Sequence, residues 1–219
     1  MESLTHNGLS LAFEDAGTGA PPIILLHDLG MDHTSLHLLF THFRSKHRVV
    51  SVDLPGHGRS DSLSRAYAPE DFADDLDWLF SALGIYHGVA VGWGIGGIIA
   101  VELGTQATDL LAAAVAVDTP ILHLKMTKRH RIQRIEQSRY LVATSKRTET
   151  WDGAAALALC KVPLLMIESQ RLCAGAGQIH KTNPRVVVEY AQFRRFRRQE
   201  LAKRINAFID DFLLANENL

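Results

Sequence analysis

Six near-continuous apolar runs of strand length, separated by longer stretches of helical spacing, constrain this chain more than any other feature. Pro22 to His27 (PIILLH), Arg48 to Leu54 (RVVSVDL), Gly88 to Gly92 (GVAVG) and Leu111 to Asp118 (LAAAVAVD) come first; Val162 to Ile167 (VPLLMI) and Arg185 to Tyr190 (RVVVEY) follow. A strand that is apolar at almost every position has no solvated face, so such runs belong to parallel strands buried on both sides. The segments Pro69 to Leu83, Gly96 to Gly104, Asp152 to Cys160 and Glu200 to Leu214 are spaced as helices; in the last, Leu201, Ile205, Phe208 and Phe212 recur on one face. The alternation predicts an α/β chain whose mostly parallel sheet is covered by helices on both faces. Leu9 to Glu14 is expected as an early antiparallel strand.

A length of 219 residues suits one domain with a substantial core. No repeat, low-complexity tract or linker suggests a boundary, so residues 1–219 are read as a single domain. A formal net charge of −1 gives no reason to expect nucleic acid or an acidic membrane surface as partner. A small-molecule ligand or a protein partner is expected instead, with a homo-oligomer left open and no cofactor or metal. Cys160 and Cys173 have no C-x-x-C spacing, which fits a reducing compartment. Met1 to His6 has neither a basic nor an apolar leader character, and no glycine-free apolar run reaches membrane-spanning length. A soluble, cytoplasmic protein is the expectation.

Three short motifs leave predicted strands in order: Leu25-Leu26-His27-Asp28-Leu29-Gly30, Asp53-Leu54-Pro55-Gly56-His57-Gly58-Arg59-Ser60, and Gly92-Trp93-Gly94-Ile95-Gly96-Gly97. In the third, Gly92, Gly96 and Gly97 lack a Cβ, so a tight corner can form and the following helix can approach its neighbours closely. The N–H of Ile95, at that helix's start, is a donor without an intrahelical partner. The second motif reads as a glycine-closed turn after a strand, which makes His57 and Ser60 poor catalytic candidates.

Together the three motifs resemble those of the α/β-hydrolase superfamily, and the resemblance covers nearly the whole chain. It implies a twisted, mostly parallel sheet of about eight strands flanked by helices. It also implies a lid after the sixth strand, here reduced to the segment 121–150, whose basic residues run from Lys125 to Arg147. The family's nucleophile stands at the centre of the third motif, where this chain has Gly94, a residue that cannot attack a substrate. The N–H groups of Ile95 and Leu29 correspond to the family's oxyanion hole. Asp28 stands where the family usually has glycine and would place a carboxylate beside any bound anion; His27 supports the loop. The family's acid maps near Leu172. Its histidine maps to Arg195, which stays protonated and cannot act as a general base. Trp93 is expected to line the pocket or pack beneath the oxyanion loop.

Three functions follow as expectations. One is a hydrolase-like pseudoenzyme that binds a small organic molecule or a protein at the former active site. Another is a non-covalent lyase, dehydratase, isomerase or cyclase that uses the oxyanion hole, with Asp28, His27, Asp118, Glu168 and His123 as acid–base candidates. The third is an ester, amide or carbon–carbon bond hydrolase inactivated by the Ser-to-Gly change at Gly94.

Overall fold

The computed structural model describes residues 1–106, 109–119, 121, 143–144, 146–148, 150–169, 183–191 and 198–216. Its strands are β1 (Glu2–His6), β2 (Leu9–Ala16), β3 (Ile23–Leu26), β4 (Val49–Val52), β5 (Gly88–Trp93), β6 (Leu111–Val117), β7 (Leu164–Ser169) and β8 (Val186–Ala191). They form one eight-stranded sheet in the order β1-β2-β4-β3-β5-β6-β7-β8. From β4 to β8 every neighbouring pair is parallel, whereas β2 runs antiparallel to both β1 and β4.

The apolar runs are continuous because both faces of these strands are covered. Ile24 and Leu26 of β3 join Val50 and Val52 of β4 in one core, while Ile23 and Leu25 join Val49, Val89 and Val91 in a second core on the other side. Alternate side chains of a strand point to opposite faces, so each strand feeds both cores. Helices α2 (Pro69–Ala82) and α3 (Ile95–Gln106) close the first core with Phe72, Leu76, Phe80, Ile98 and Ile99. Helices α1 (His37–Phe43) and α5 (Arg198–Asn216) close the second, where Phe40, Phe43, Leu201, Ile205 and Ile209 are buried. A further short helix, α4 (Gly153–Leu159), packs near α3.

Two elements go beyond the sequence expectations. β1 is mostly exposed and polar, and it is held by pairing with β2 through the Asn7-Gly8 turn, where φ is 49° and 80°. Two successive positive φ angles make the hairpin turn whose twist matches that of the strands. Helix α1 follows a single 3₁₀ turn, His33–Leu36, which Asp32 caps by accepting from the Thr34 N–H at 3.0 Å.

Most of the expected lid segment, 121–150, lies outside the described residues. Its described end is tied to the helices over the first core. Thr144 Oγ1 accepts from the Tyr67 N–H at 2.9 Å, and beyond the segment the Trp151 indole donates to Glu102 Oε2 at 3.0 Å. Among the described residues, no helix is long and apolar enough to cross a membrane.

Candidate functional site

The chain leaves β3 toward β4 on one side and then returns to place β5 on the other, so strand order reverses between β3 and β5. In open parallel sheets the crevice beyond the carboxyl ends at such a reversal is where ligands bind. Here that crevice lies between the loop after β3, Asp28 to Gly30, and the turn from β5 into α3, Trp93 to Ile95.

At the crest of that turn Gly94 has φ +56°, in the left-handed region that costs a side-chain-bearing residue free energy. Its N–H donates to Val117 O at 3.1 Å, and its carbonyl accepts the Gly97 and Ile98 N–H groups, so the turn passes directly into α3. The helix can start this close because a Cβ on Gly92 would overlap the Gly96 backbone, and one on Gly96 would overlap Leu26 O.

The two N–H groups expected to face a ligand both donate to one carboxylate oxygen. Leu29 N lies 2.8 Å and Ile95 N 3.0 Å from Asp28 Oδ1. A Cβ on residue 94 would overlap that same oxygen and its Cγ. The carboxylate of Asp28 therefore occupies both the cradle between the donors and the space into which a side chain at 94 would project.

His27 holds this loop from beneath. Its Nδ1–H donates to Asp28 O at 2.8 Å, and its Nε2 accepts the Leu54 N–H at 3.0 Å, which fixes the neutral tautomer. Complete burial, reinforced by the neighbouring His57, pulls its pKa down to about 3. With both nitrogens engaged by main chain and no exposed surface, His27 is not placed to exchange a proton with a ligand, contrary to its candidacy as acid or base.

Beside Asp28 lies a cleft of about 210 Å³. Among the described residues its walls are largely apolar: Met31, Leu36, Leu38 and Leu39 from the segment after β3, Trp93 from β5 and Leu201 from α5, with Ser35 and Asp28 as the polar groups. Met31 and Leu38 remain exposed at its rim.

These features converge with sequence and structure comparisons. The sequence profile described as "Alpha/beta hydrolase family" matches residues 23–212. The chain belongs to the alpha/beta hydrolase family. A 2-(acetamidomethylene)succinate hydrolase of Mesorhizobium japonicum is 28% identical over 115 residues, covering 52% of this chain and 41% of that protein. An uncharacterised protein of Mycobacterium bovis is 31% identical over 117 residues, 53% of this chain and 34% of its own length. The matched stretch thus spans well under half of either relative. Solved structures are similar over almost the whole fold. An enol-lactonase from Burkholderia xenovorans superposes with a TM-score of 0.76 at 17% identity, covering 97% of this chain and 100% of that one. An E-2-(acetamidomethylene)succinate hydrolase gives 0.77 at 19%, covering 95% and 100%.

Within this alpha/beta hydrolase fold the other candidates fall into one row. Trp93, Val117 and Ile167 are register partners across β5, β6 and β7, so Gly94, Asp118 and Glu168, each one residue further on, crown three adjacent strands. Asp118 has φ +47° and donates its N–H to Ile167 O at 2.9 Å. Glu168 is buried; its Oε1 accepts the Thr119 N–H at 3.1 Å, and its Oε2 has no hydrogen-bond partner among the described residues. Burial, aided by the nearby Asp118 charge, raises its pKa to about 8. It is therefore a neutral acid at pH 7.

Sequence reasoning did not single out the pairing of His33 with Asp53. Asp53, fully buried after β4, accepts the His33 backbone N–H at 2.8 Å, the His33 Nδ1–H at 2.7 Å and the Arg59 N–H at 2.9 Å. The pair ties the loops after β3 and β4 together, and His33 is not among the residues that line the cleft. Ser60 likewise bridges backbone, donating to Asp53 O and accepting from Ala12 N. His123, Leu172, Cys173 and Arg195 lie outside the described residues, as do most of the basic positions from Lys125 to Arg147.

Proposed function

We propose that this alpha/beta hydrolase family member is a non-hydrolytic binding protein that holds a small organic molecule, without a covalent step, in the cleft beside Asp28. The observation that carries this reading is the shared position of Asp28 Oδ1 and the missing side chain of Gly94. Acyl transfer needs a nucleophile at the crest and an empty pair of donors for the developing oxyanion. Here glycine stands at the crest, and both donors already hold an anion that belongs to the chain itself.

The same geometry weighs against a lyase or isomerase working through the oxyanion hole, because an enolate oxygen would have to displace Asp28 from two hydrogen bonds. It also bears on the reading of Gly94 as an isolated inactivating change. A serine there would strike Asp28, so residues 28 and 94 fit each other as a pair.

Hydrolase relatives make turnover the decisive test. Purified protein and Gly94→Ser are each treated with a fluorescent serine-directed phosphonate and with p-nitrophenyl esters of increasing chain length. Neither protein is expected to be labelled or to turn over ester, whereas thermal-shift screening of a metabolite library is expected to give saturable stabilisation. Ester turnover by the unmodified protein that is lost on substituting Asp28 or Trp93 would overturn the proposal.

A further inference from the structure

We infer that a second cleft, at the carboxyl end of α1, is a site for inorganic phosphate in its hydrogen phosphate form. Its walls are His42, Phe43, Ser45, Lys46, His47 and Asn206, so it shares no lining residue with the cleft beside Asp28. Among the described residues no carboxylate lines it, and the exposed Lys46 has no acidic partner. The last carbonyls of α1 present no bare acceptor to an anion either. His42 O accepts from Ser45 Oγ at 3.0 Å, and Phe43 O accepts the Lys46 and His47 N–H groups at 3.0 and 2.9 Å.

The polar atoms specify which anion fits. His47 is only 8% exposed, and its Nδ1–H donates to Pro21 O at 3.0 Å, so the neutral ring leaves Nε2, as a lone pair, for a ligand in the cleft. Asn206 Nδ2 gives one N–H to His42 Nε2 at 3.0 Å and keeps a second. A matching ligand accepts from Lys46 and Asn206 and donates to His47. Hydrogen phosphate does both, since its charged oxygens accept in charge-assisted hydrogen bonds and its P–OH donates. Sulfate and the dianion of a phosphate monoester have no hydroxyl to give. At about 100 Å³, roughly the space of three waters, the cleft suits a tetrahedral oxyanion better than an organic body. A metal ion fits less well, because no third ligand joins the two histidines among the described residues and Lys46 repels a cation.

Titration calorimetry at pH 8 and fixed ionic strength, with phosphate, sulfate and methyl phosphate as titrants, tests this. That pH favours the neutral imidazole and leaves hydrogen phosphate as the titrant that still carries a proton. The unmodified protein is expected to bind phosphate saturably and at least about tenfold more tightly than either control, in line with a hydrogen bond to a charged group. Lys46→Gln is expected to weaken phosphate binding about tenfold. His47→Phe keeps a ring but has no lone pair, and is expected to bring the phosphate and sulfate affinities together. Because Lys46 is exposed, its variant reads the site even if His47→Phe does not fold. No phosphate binding by the unmodified protein, sulfate or methyl phosphate bound as tightly, unchanged phosphate affinity in Lys46→Gln, or a phosphate preference that survives His47→Phe would each overturn the inference.

Discussion

A side chain at residue 94 meets two separate penalties. One is the left-handed backbone at φ +56°, which costs a non-glycine residue about 1–2 kcal/mol. The other is overlap with the Asp28 carboxylate, an overpacking term of roughly 1–3 kcal/mol. Gly94→Ser is therefore expected to lower unfolding free energy by several kcal/mol in urea denaturation. In an Asp28→Ala background the same change should cost only the backbone part. A double-mutant cycle that showed the two changes to be additive would mean that the carboxylate and residue 94 do not share space. The three glycines and the donor of Ile95 were legible in the sequence, and so was the anomaly of Asp28. That Oδ1 would satisfy both donors was not, because the motif's usual glycine gives no hint of where a carboxylate will turn. Glu168 shows the same limit. Its position near the end of a strand was readable, but its burial and an Oε2 without a partner among the described residues depend on neighbours from outside that strand, Thr119 after β6 among them.

Among the elements, α5 does more than close the chain. Leu201, Ala202, Ile205 and Ile209 fill the second core, and Leu201 also forms a wall of the cleft. Truncating the fully buried Ile205 to alanine is expected to cost roughly 2–5 kcal/mol by chemical denaturation, with a cavity left under α1 and the sheet. The loops after β3 and β4 are stitched together by His27 and by the His33–Asp53 pair. Replacing His27 with phenylalanine leaves the buried Leu54 N–H without its acceptor at Nε2, a loss of about 1–3 kcal/mol. Amide exchange at Leu54 should accelerate accordingly, and an unchanged rate would show that the bond does not hold the loop. Periodicity located α2, α3 and α5 because amphipathic or wholly apolar segments of three turns or more declare themselves, and it located the short α4 because Gly153–Leu159 is an unbroken run of alanine, leucine and glycine. Helix α1 carried a signal too, with Leu36, Leu39, Phe40 and Phe43 at helical spacing, but it is short and interrupted by polar residues. β1 has almost no apolar signal, since its pairing with β2 rather than burial makes it a strand.

At the scale of the whole molecule, two buried groups shape how stability responds to pH. Glu168 has its pKa raised from 4.5 to about 8 by folding, so between those values the folded state holds more protons than the unfolded one and stability falls as pH rises. His27 has its pKa lowered from 6.5 to about 3, so the stability it contributes is complete above pH 6.5 and is lost as pH falls toward 3. As far as these two groups govern the profile, the maximum lies between about pH 4.5 and 6.5, where their slopes oppose. Glu168→Gln keeps the acceptor for Thr119 and is expected to flatten the decline from pH 6.5 to 8, an effect of order a few kcal/mol at most. Denaturation midpoints across that range measure it; an unchanged slope would place the ionisation elsewhere. The sequence by itself determined the α/β architecture, the strand-to-helix corner and the absence of a nucleophilic side chain at its crest. Hydrophobic periodicity and the steric freedom of glycine are local properties, carried by neighbours in the chain. The tertiary structure alone decided that Asp28 fills the donor cradle, that His27 is a locked neutral support, and that Glu168 keeps its proton. Each of those outcomes depends on groups brought together from different strands and the loops that follow them, an arrangement that no local pattern in the chain specifies.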